Sequence, residues 1–186
     1  MNIIEYAKQF VGKQETAGPN RGPLVDKWKG EVGAGLQTTP IPWCACFGFA
    51  MLLELNKLNK VSLATLLGFT HGTWFPESTQ SWLDQAKAAG LITQHPRFGD
   101  AFLLLKPDLV KGGFTQTPHH FGFFAGPALP GTGELFDTVE GNTVPGIIGG
   151  AVSREGDGVY ARSRHNTPGA FAFISLPNSV TKVLLG

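Results

Sequence analysis

The stretch Ile41-Pro42-Trp43-Cys44-Ala45-Cys46-Phe47-Gly48-Phe49-Ala50 decides how this chain is read. Pro42 holds the backbone extended, and the apolar run after it predicts a helix over about Cys44 to Lys57. Cys44, Phe47, Gly48, Met51, Leu52 and Leu55 recur at helical spacing on one side. Phe49, Ala50 and Leu53 make the other side apolar too, so the helix is expected to be buried nearly all round. Cys44 falls in its first turn, where unpaired N–H groups and the positive end of the helix dipole stabilise an anion. A thiol placed there ionises below the roughly 8.5 of a free cysteine. The position suits a nucleophile. Cys46, inside the apolar run, reads as a packing residue. Two cysteines at i and i+2 on one helix point apart and cannot form a relaxed disulfide, so both are expected as free thiols.

Upstream, a helix is expected over about Ile3 to Val11. A turn-rich segment follows at Gly18-Pro19-Asn20-Arg21-Gly22-Pro23, then a helical reading of Leu24 to Trp28, with loop from Gly30 to Pro42. Downstream, Ser78 caps a helix that runs to Ala89 and stops at Gly90. After Gly99 the pattern changes to strands: Asp100 to Leu105, His120 to Ala125, Leu135 to Asn142, Val159 to His165 and Phe171 to Leu176. Gly, Pro, Asn and Asp clusters between them favour an antiparallel sheet. Helices first and strands afterwards is an α+β layout. With 186 residues, the chain is read as a single domain over 1–186 with a full hydrophobic core.

The formal charge of +1 argues against nucleic-acid wrapping or adhesion to an anionic membrane. Residues 1–8 have no charged head, apolar stretch and small-residue cleavage site, so no secretory leader is read there. No apolar run reaches the roughly 18 residues of a membrane helix. Synthesis in the cytoplasm without a signal peptide, and no membrane insertion, are the expectations.

A cysteine nucleophile needs a base to take its proton and an acid to protonate the leaving group, and histidine suits both tasks. Of the five histidines, only His119 and His120 open a clear strand. Alternation sends them to opposite faces. His119 shares its face with Phe121 and Phe123, which look like core, and reads as structural or as a rim residue. His120 shares its face with Gly122, whose missing side chain is expected to leave room for a facing helix end or a substrate. His120 is the better base. Glu140 and Asn142, two apart on one strand, can each accept an N–H from the ring. The order Cys, His, Glu/Asn is that of papain-like enzymes, whose partners meet in space rather than in sequence. A zinc site is disfavoured, because Cys-x-Cys and His-His lack the usual ligand spacings. Gly156-Asp157-Gly158 reads as a turn, too poor in oxygen ligands for calcium. His71, His95 and His165 read as surface or loop residues, although His71 beside Trp74 could line a cleft.

Pro42-Trp43-Cys44-Ala45-Cys46-Phe47 resembles the nucleophile motif of CHAP-domain cysteine amidases and peptidases, which belong with the NlpC/P60 peptidoglycan hydrolases. Phe98-Gly99-Asp100-Ala101-Phe102 resembles that family's Gly-Asp strand opening. His120-Phe121-Gly122-Phe123-Phe124 is similar to its His-hydrophobic-Gly strand, and Glu140-Gly141-Asn142-Thr143 to its Glu-x-Asn element. Glu15, Asn20-Arg21-Gly22 and Val25-Asp26 resemble a segment upstream of the cysteine. Ser153 to Arg162 resembles the loop and strand after Glu-x-Asn. Together these reach from about residue 5 to residue 175. Cys46 and the long insertion between Cys44 and Gly99 depart from the family pattern.

The resemblance implies a papain-like α+β fold, with N-terminal helices packed on an antiparallel sheet. It implies cleavage of an amide in bacterial peptidoglycan: the muramoyl–L-alanine link, or a bond of the stem peptide or cross-bridge. Cys44, His120, Glu140 and Asn142 are the candidate catalytic residues, with no cofactor and no metal. Gln37 is a candidate second oxyanion donor. Arg21, Asp26, Trp43, His71 and Trp74 are candidate substrate contacts, although Arg21 and Asp26 also read as a structural ion pair or turn brace. The expected partner is peptidoglycan, met by a monomer after delivery by a holin, a phage tail or a secretion system, with an immunity protein as a further partner. A phage lysin and an antibacterial effector both fit this picture. A protein-directed cysteine transferase or deamidase with the same triad, and a catalytically silent wall-binding module, are the alternatives.

Overall fold

A computed structural model of the chain describes residues 1–126, 135–144 and 156–182. The helices come first: α1 (Ile3–Lys8), α2 (Pro23–Val32), a 3₁₀ turn over Leu36–Thr38, α3 (Cys44–Asn56), α4 (Lys60–Leu67) and α5 (Thr79–Ala88). The strands follow: β1 (Ile92–Thr93), β2 (Ala101–Pro107), β3 (Phe114–Gly126), β4 (Leu135–Thr143), β5 (Gly158–His165) and β6 (Phe171–Ile174), before a short α6 (Asn178–Thr181). Among the described residues this is an α+β fold of six α-helices and one six-stranded sheet, ordered β1-β6-β2-β3-β4-β5 with every pairing antiparallel. None of those helices is long and apolar enough to cross a membrane. The resemblance drawn on Ser153 to Glu155 lies outside the described residues.

Local chemistry sets the helix ends. Asn2 and Glu5 form a reciprocal capping box on α1. That helix stops at Lys8 rather than near Val11, and the Gly12 N–H instead bonds the Val159 carbonyl at the sheet. α2 is longer than its sequence suggests. Pro23 occupies its first turn, where a missing N–H is no loss, and the helix continues to Val32. α4 is an element the sequence reading passed over. Asn59 caps it by accepting the Ser62 N–H at 2.9 Å, and Gly68 ends it at φ 66°.

α3 is the central helix, with eleven of its thirteen residues buried. It crosses β3 so closely that a Cβ on Gly48 would stand 2.1 Å from Cε1 of Phe121. The main core lies between the helices and one face of the sheet, where Phe121, Phe123 and Val139 meet Phe47, Phe49 and Trp82. A smaller cluster of Phe102, Phe124, Phe136 and Phe173 covers the other face. The site lies where these two layers meet the end of α3.

Candidate active site

β3 and β4 are paired from Gly126–Asp137 to Phe123–Val139 and part beyond that point. The start of α3 sits where they part. Gly141 of β4 packs against Trp43 and Phe47, leaving no room for a Cβ, and the Phe121 backbone is hydrogen-bonded to the Cys44 sulfur. His120 comes from β3, Glu140 from β4 and Cys44 from the first helical residue, so three elements meet at one point.

Cys44 is hydrogen-bonded to His120. His120 Nε2 lies 2.7 Å from Oε2 of Glu140, so the other ring nitrogen serves the thiol. His120 and Glu140 are both buried, with 2 % and 0 % of their surface exposed. Burial pushes the Cys44 thiol up, but the His120 hydrogen bond and charge, with backbone N–H groups of Phe121 and Ala45, outweigh it and hold the thiol below its ordinary value. The helix end therefore contributes, and the imidazole contributes more. For His120, burial pulls downward while Cys44 and Glu140 pull upward and prevail, so the ring is protonated to a higher pH than a free histidine. The arrangement favours a thiolate–imidazolium pair. Cys46, also a free thiol, is pushed up to about 12, chiefly by burial.

Glu140 is held from several sides. Arg164 of β5 donates from Nε to Oε1 at 2.6 Å and from Nη2 to Oε2 at 2.5 Å. The Thr138 hydroxyl donates to Oε1 at 2.6 Å. Arg162 Nη1 stands 3.9 Å from Oε2. Burial raises the carboxyl, but Arg164 and His120 more than reverse this and keep it ionised far below the usual carboxylate range. Neither arginine was singled out from the sequence. The available signal was alternation in β5, which puts Arg162 and Arg164 on one strand face with no acid on that face to pair them.

Asn142 does not reach His120. It sits at φ 54° in an irregular stretch of the β4–β5 pairing between Glu140 and Thr143, so the strict alternation that would align it with Glu140 is broken. Among the described residues its buried amide has no hydrogen-bond partner. Gly122 leaves no empty space for a substrate, since a Cβ there would meet Phe102 at 2.6 Å and Glu140 Cγ at 2.8 Å. The glycine makes room for the acid and for the aromatic layer.

A cleft of about 360 Å³ opens at Cys44. Ile41 and Pro42 line one side, residues 77–80 at the start of α5 another, and Lys106, Pro118 and His119 the rest. His119 is half-buried and belongs to this rim. Residues 77–80 and Lys106 were not legible as lining, because only the packing of α5 beside β3 brings them there.

The weaker candidates lie elsewhere. Gln37 is exposed, and its Oε1 accepts the Gly35 N–H at 2.8 Å, so it closes its own turn and does not line the cleft. Trp43 has no exposed surface. It stacks on Trp28 at 5.5 Å and donates to Glu15 at 2.8 Å. Trp74 is buried in an aromatic cluster with Phe49, Phe69 and Trp82. His71 is exposed, its backbone paired with the Gln85 amide. Arg21 and Asp26 form an ion pair at 2.9 Å, and Arg21 also donates to the Thr38 carbonyl. The fully buried Lys29 ties Asp26 to the carbonyls of Asn20 and Thr39. These charges brace the chain that leads into Cys44. Among the described residues, no three His, Cys, Asp or Glu side chains are grouped as metal ligands would be.

Comparison of the chain with family models, with curated proteins and with solved structures gave no match in any of the three.

Proposed function

We propose that the chain is a cysteine hydrolase of papain-like architecture that cleaves an amide bond in bacterial peptidoglycan. One observation carries the catalytic part: a cysteine at a helix start, hydrogen-bonded to a histidine whose far nitrogen meets a buried carboxylate, at the floor of an open cleft. The choice of peptidoglycan rests on the resemblance of the motifs around Cys44, Gly99, His120 and Glu140 to CHAP-domain enzymes.

His120 takes the Cys44 proton, and the thiolate attacks the amide carbonyl carbon. The oxyanion forms beside the start of α3, where the Cys44 backbone N–H is a donor the helix leaves unused. As the tetrahedral intermediate collapses, the amine leaves with the proton from His120. Water, deprotonated by His120, then attacks the thioester and releases the acid and the thiol. Glu140 keeps the ring oriented and balances its positive charge throughout.

Incubating purified sacculi with wild type and with Cys44→Ala, followed by mass spectrometry of the soluble muropeptides, tests both parts. New amine and carboxyl ends are expected with wild type only. Equal release by the Cys44→Ala protein would exclude the nucleophile, and intact sacculi with wild type would exclude the substrate.

A further inference from the structure

We propose that Arg164 is a positioning residue of this site: its two-pronged grip on Glu140 aims the carboxylate at His120 and so sets the reactivity of Cys44. The proposal rests on the cysteine-hydrolase reading. Arg164 starts on β5 opposite Phe136. It reaches Glu140 over the ring of Phe102, with its guanidinium carbon 5.6 Å from the ring centre.

Geometry makes Arg164 more than a counter-ion. A carboxylate has two oxygens in one plane, and a guanidinium that bonds both fixes that plane. Nε occupies Oε1 and Nη2 occupies Oε2, with the Thr138 hydroxyl also on Oε1. What remains on Oε2 is directed at His120 Nε2, 2.7 Å away. Rotation of the carboxylate would break two arginine bonds as well as the histidine bond. The imidazole is thereby fixed with its other nitrogen towards Cys44.

The charge has a second consequence. The groups that face Glu140 are His120 from β3 and Arg162 and Arg164 from β5, and those that face His120 are Glu140 and Cys44 from α3. Arg162 is farther from Glu140, and its Nη1 is bonded to the Thr143 hydroxyl. Without Arg164, burial drives Glu140 towards its neutral form. A neutral Glu140 no longer supports the imidazolium, and the thiol then keeps its proton to a higher pH. A lysine at 164 would keep the charge but lack the fork, so charge and geometry can be separated.

The test is the rate of Cys44 alkylation by iodoacetamide from pH 4 to 10, with the modified cysteine identified by mass spectrometry. It needs no knowledge of the substrate. In wild type, Cys44 is expected to react at pH 6 at least tenfold faster than a free thiol. Arg164→Met should slow it at least tenfold at pH 6 and move the acid limb to higher pH. Arg164→Lys should leave the limb near its wild-type position while lowering the plateau severalfold. A folded Arg164→Met protein with the wild-type profile would overturn the proposal. Should that variant fail to fold, Arg164→Lys decides in a Glu140→Gln background. No further loss is expected there, and a loss as large as in wild type would show that Arg164 acts without Glu140. A wild-type Cys44 that reacts like a free thiol would overturn the nucleophile reading itself, and the role of Arg164 with it.

Discussion

His120 has two ring nitrogens, and the structure gives each one partner: the thiol of Cys44 on one side and Glu140 on the other. From the sequence, Cys44 was legible because a proline and an apolar run mark a helix start, and His120 because alternation separates it from His119. Between Glu140 and Asn142, chemistry favours the carboxylate, which stabilises the imidazolium as well as orienting the ring, but the geometry that separates the two was not legible. Period-two alternation places both on one face, but the pairing irregularity between Glu140 and Thr143 turns Asn142 away. Glu140→Gln should therefore lower turnover by about 10⁴, the cost seen when a triad carboxylate becomes its amide. The alkaline limb of the pH–rate profile should move down, because the carboxylate that holds the ring protonated is gone. Asn142→Ala removes an amide that has no hydrogen-bond partner among the described residues and should cost less than about tenfold, since it deletes no partner of the ring. Kinetics of both variants on sacculi would check this, and the reverse ranking would give Asn142 the orienting role.

At the scale of elements, α3 does two things that compete. Its apolar sequence buries it against the sheet, and its first turn must meet β3 beyond the Phe123–Val139 pair, where β3 and β4 have separated. Gly48 reconciles these demands by letting the helix backbone come down onto Phe121, the residue whose backbone also bonds Cys44. Helices α3 and α5 and all the major strands could be read from periodicity and turn residues. The close crossing could not, since it is a property of two elements together. Gly48→Ala would put a methyl group into the Phe121 ring, which is itself packed against Trp82 and Phe123. The alanine's better helix propensity, worth roughly 1 kcal/mol, does not offset the overpacking. A net loss of about 1–3 kcal/mol is expected, read as a lower urea midpoint with an unchanged slope. Cys44 alkylation should also slow, because displacing Phe121 moves a hydrogen-bond donor of the thiol. A variant as stable as wild type would mean that the helix can lift off the sheet without cost.

Over the whole molecule, the α+β order of elements follows from the sequence, whereas the strand order β1-β6-β2-β3-β4-β5 does not. β6 inserts between β1 and β2, a long-range pairing that no local pattern encodes. The charges behind the site are a second global feature, and they tie stability to pH. The Glu140 carboxyl is depressed in the folded state from an ordinary 4.5. Its contribution is therefore complete above that value and is lost as pH falls through the folded one. The cysteine–histidine pair behaves differently. The raised His120 adds stability that is complete below its ordinary 6.5 and is lost as pH rises through the folded value, whereas the lowered Cys44 adds stability that is complete above its ordinary 9.0 and is lost as pH falls through the folded value. Denaturant midpoints should accordingly fall as pH drops below 4.5, where the Glu140 contribution is lost. Glu140→Gln should lower stability at pH 7.5 by about 3 kcal/mol, since it strands the buried Arg164, and it should flatten the loss between pH 4.5 and 3. An acid slope as steep in Glu140→Gln as in wild type would place the acid sensitivity in other carboxylates.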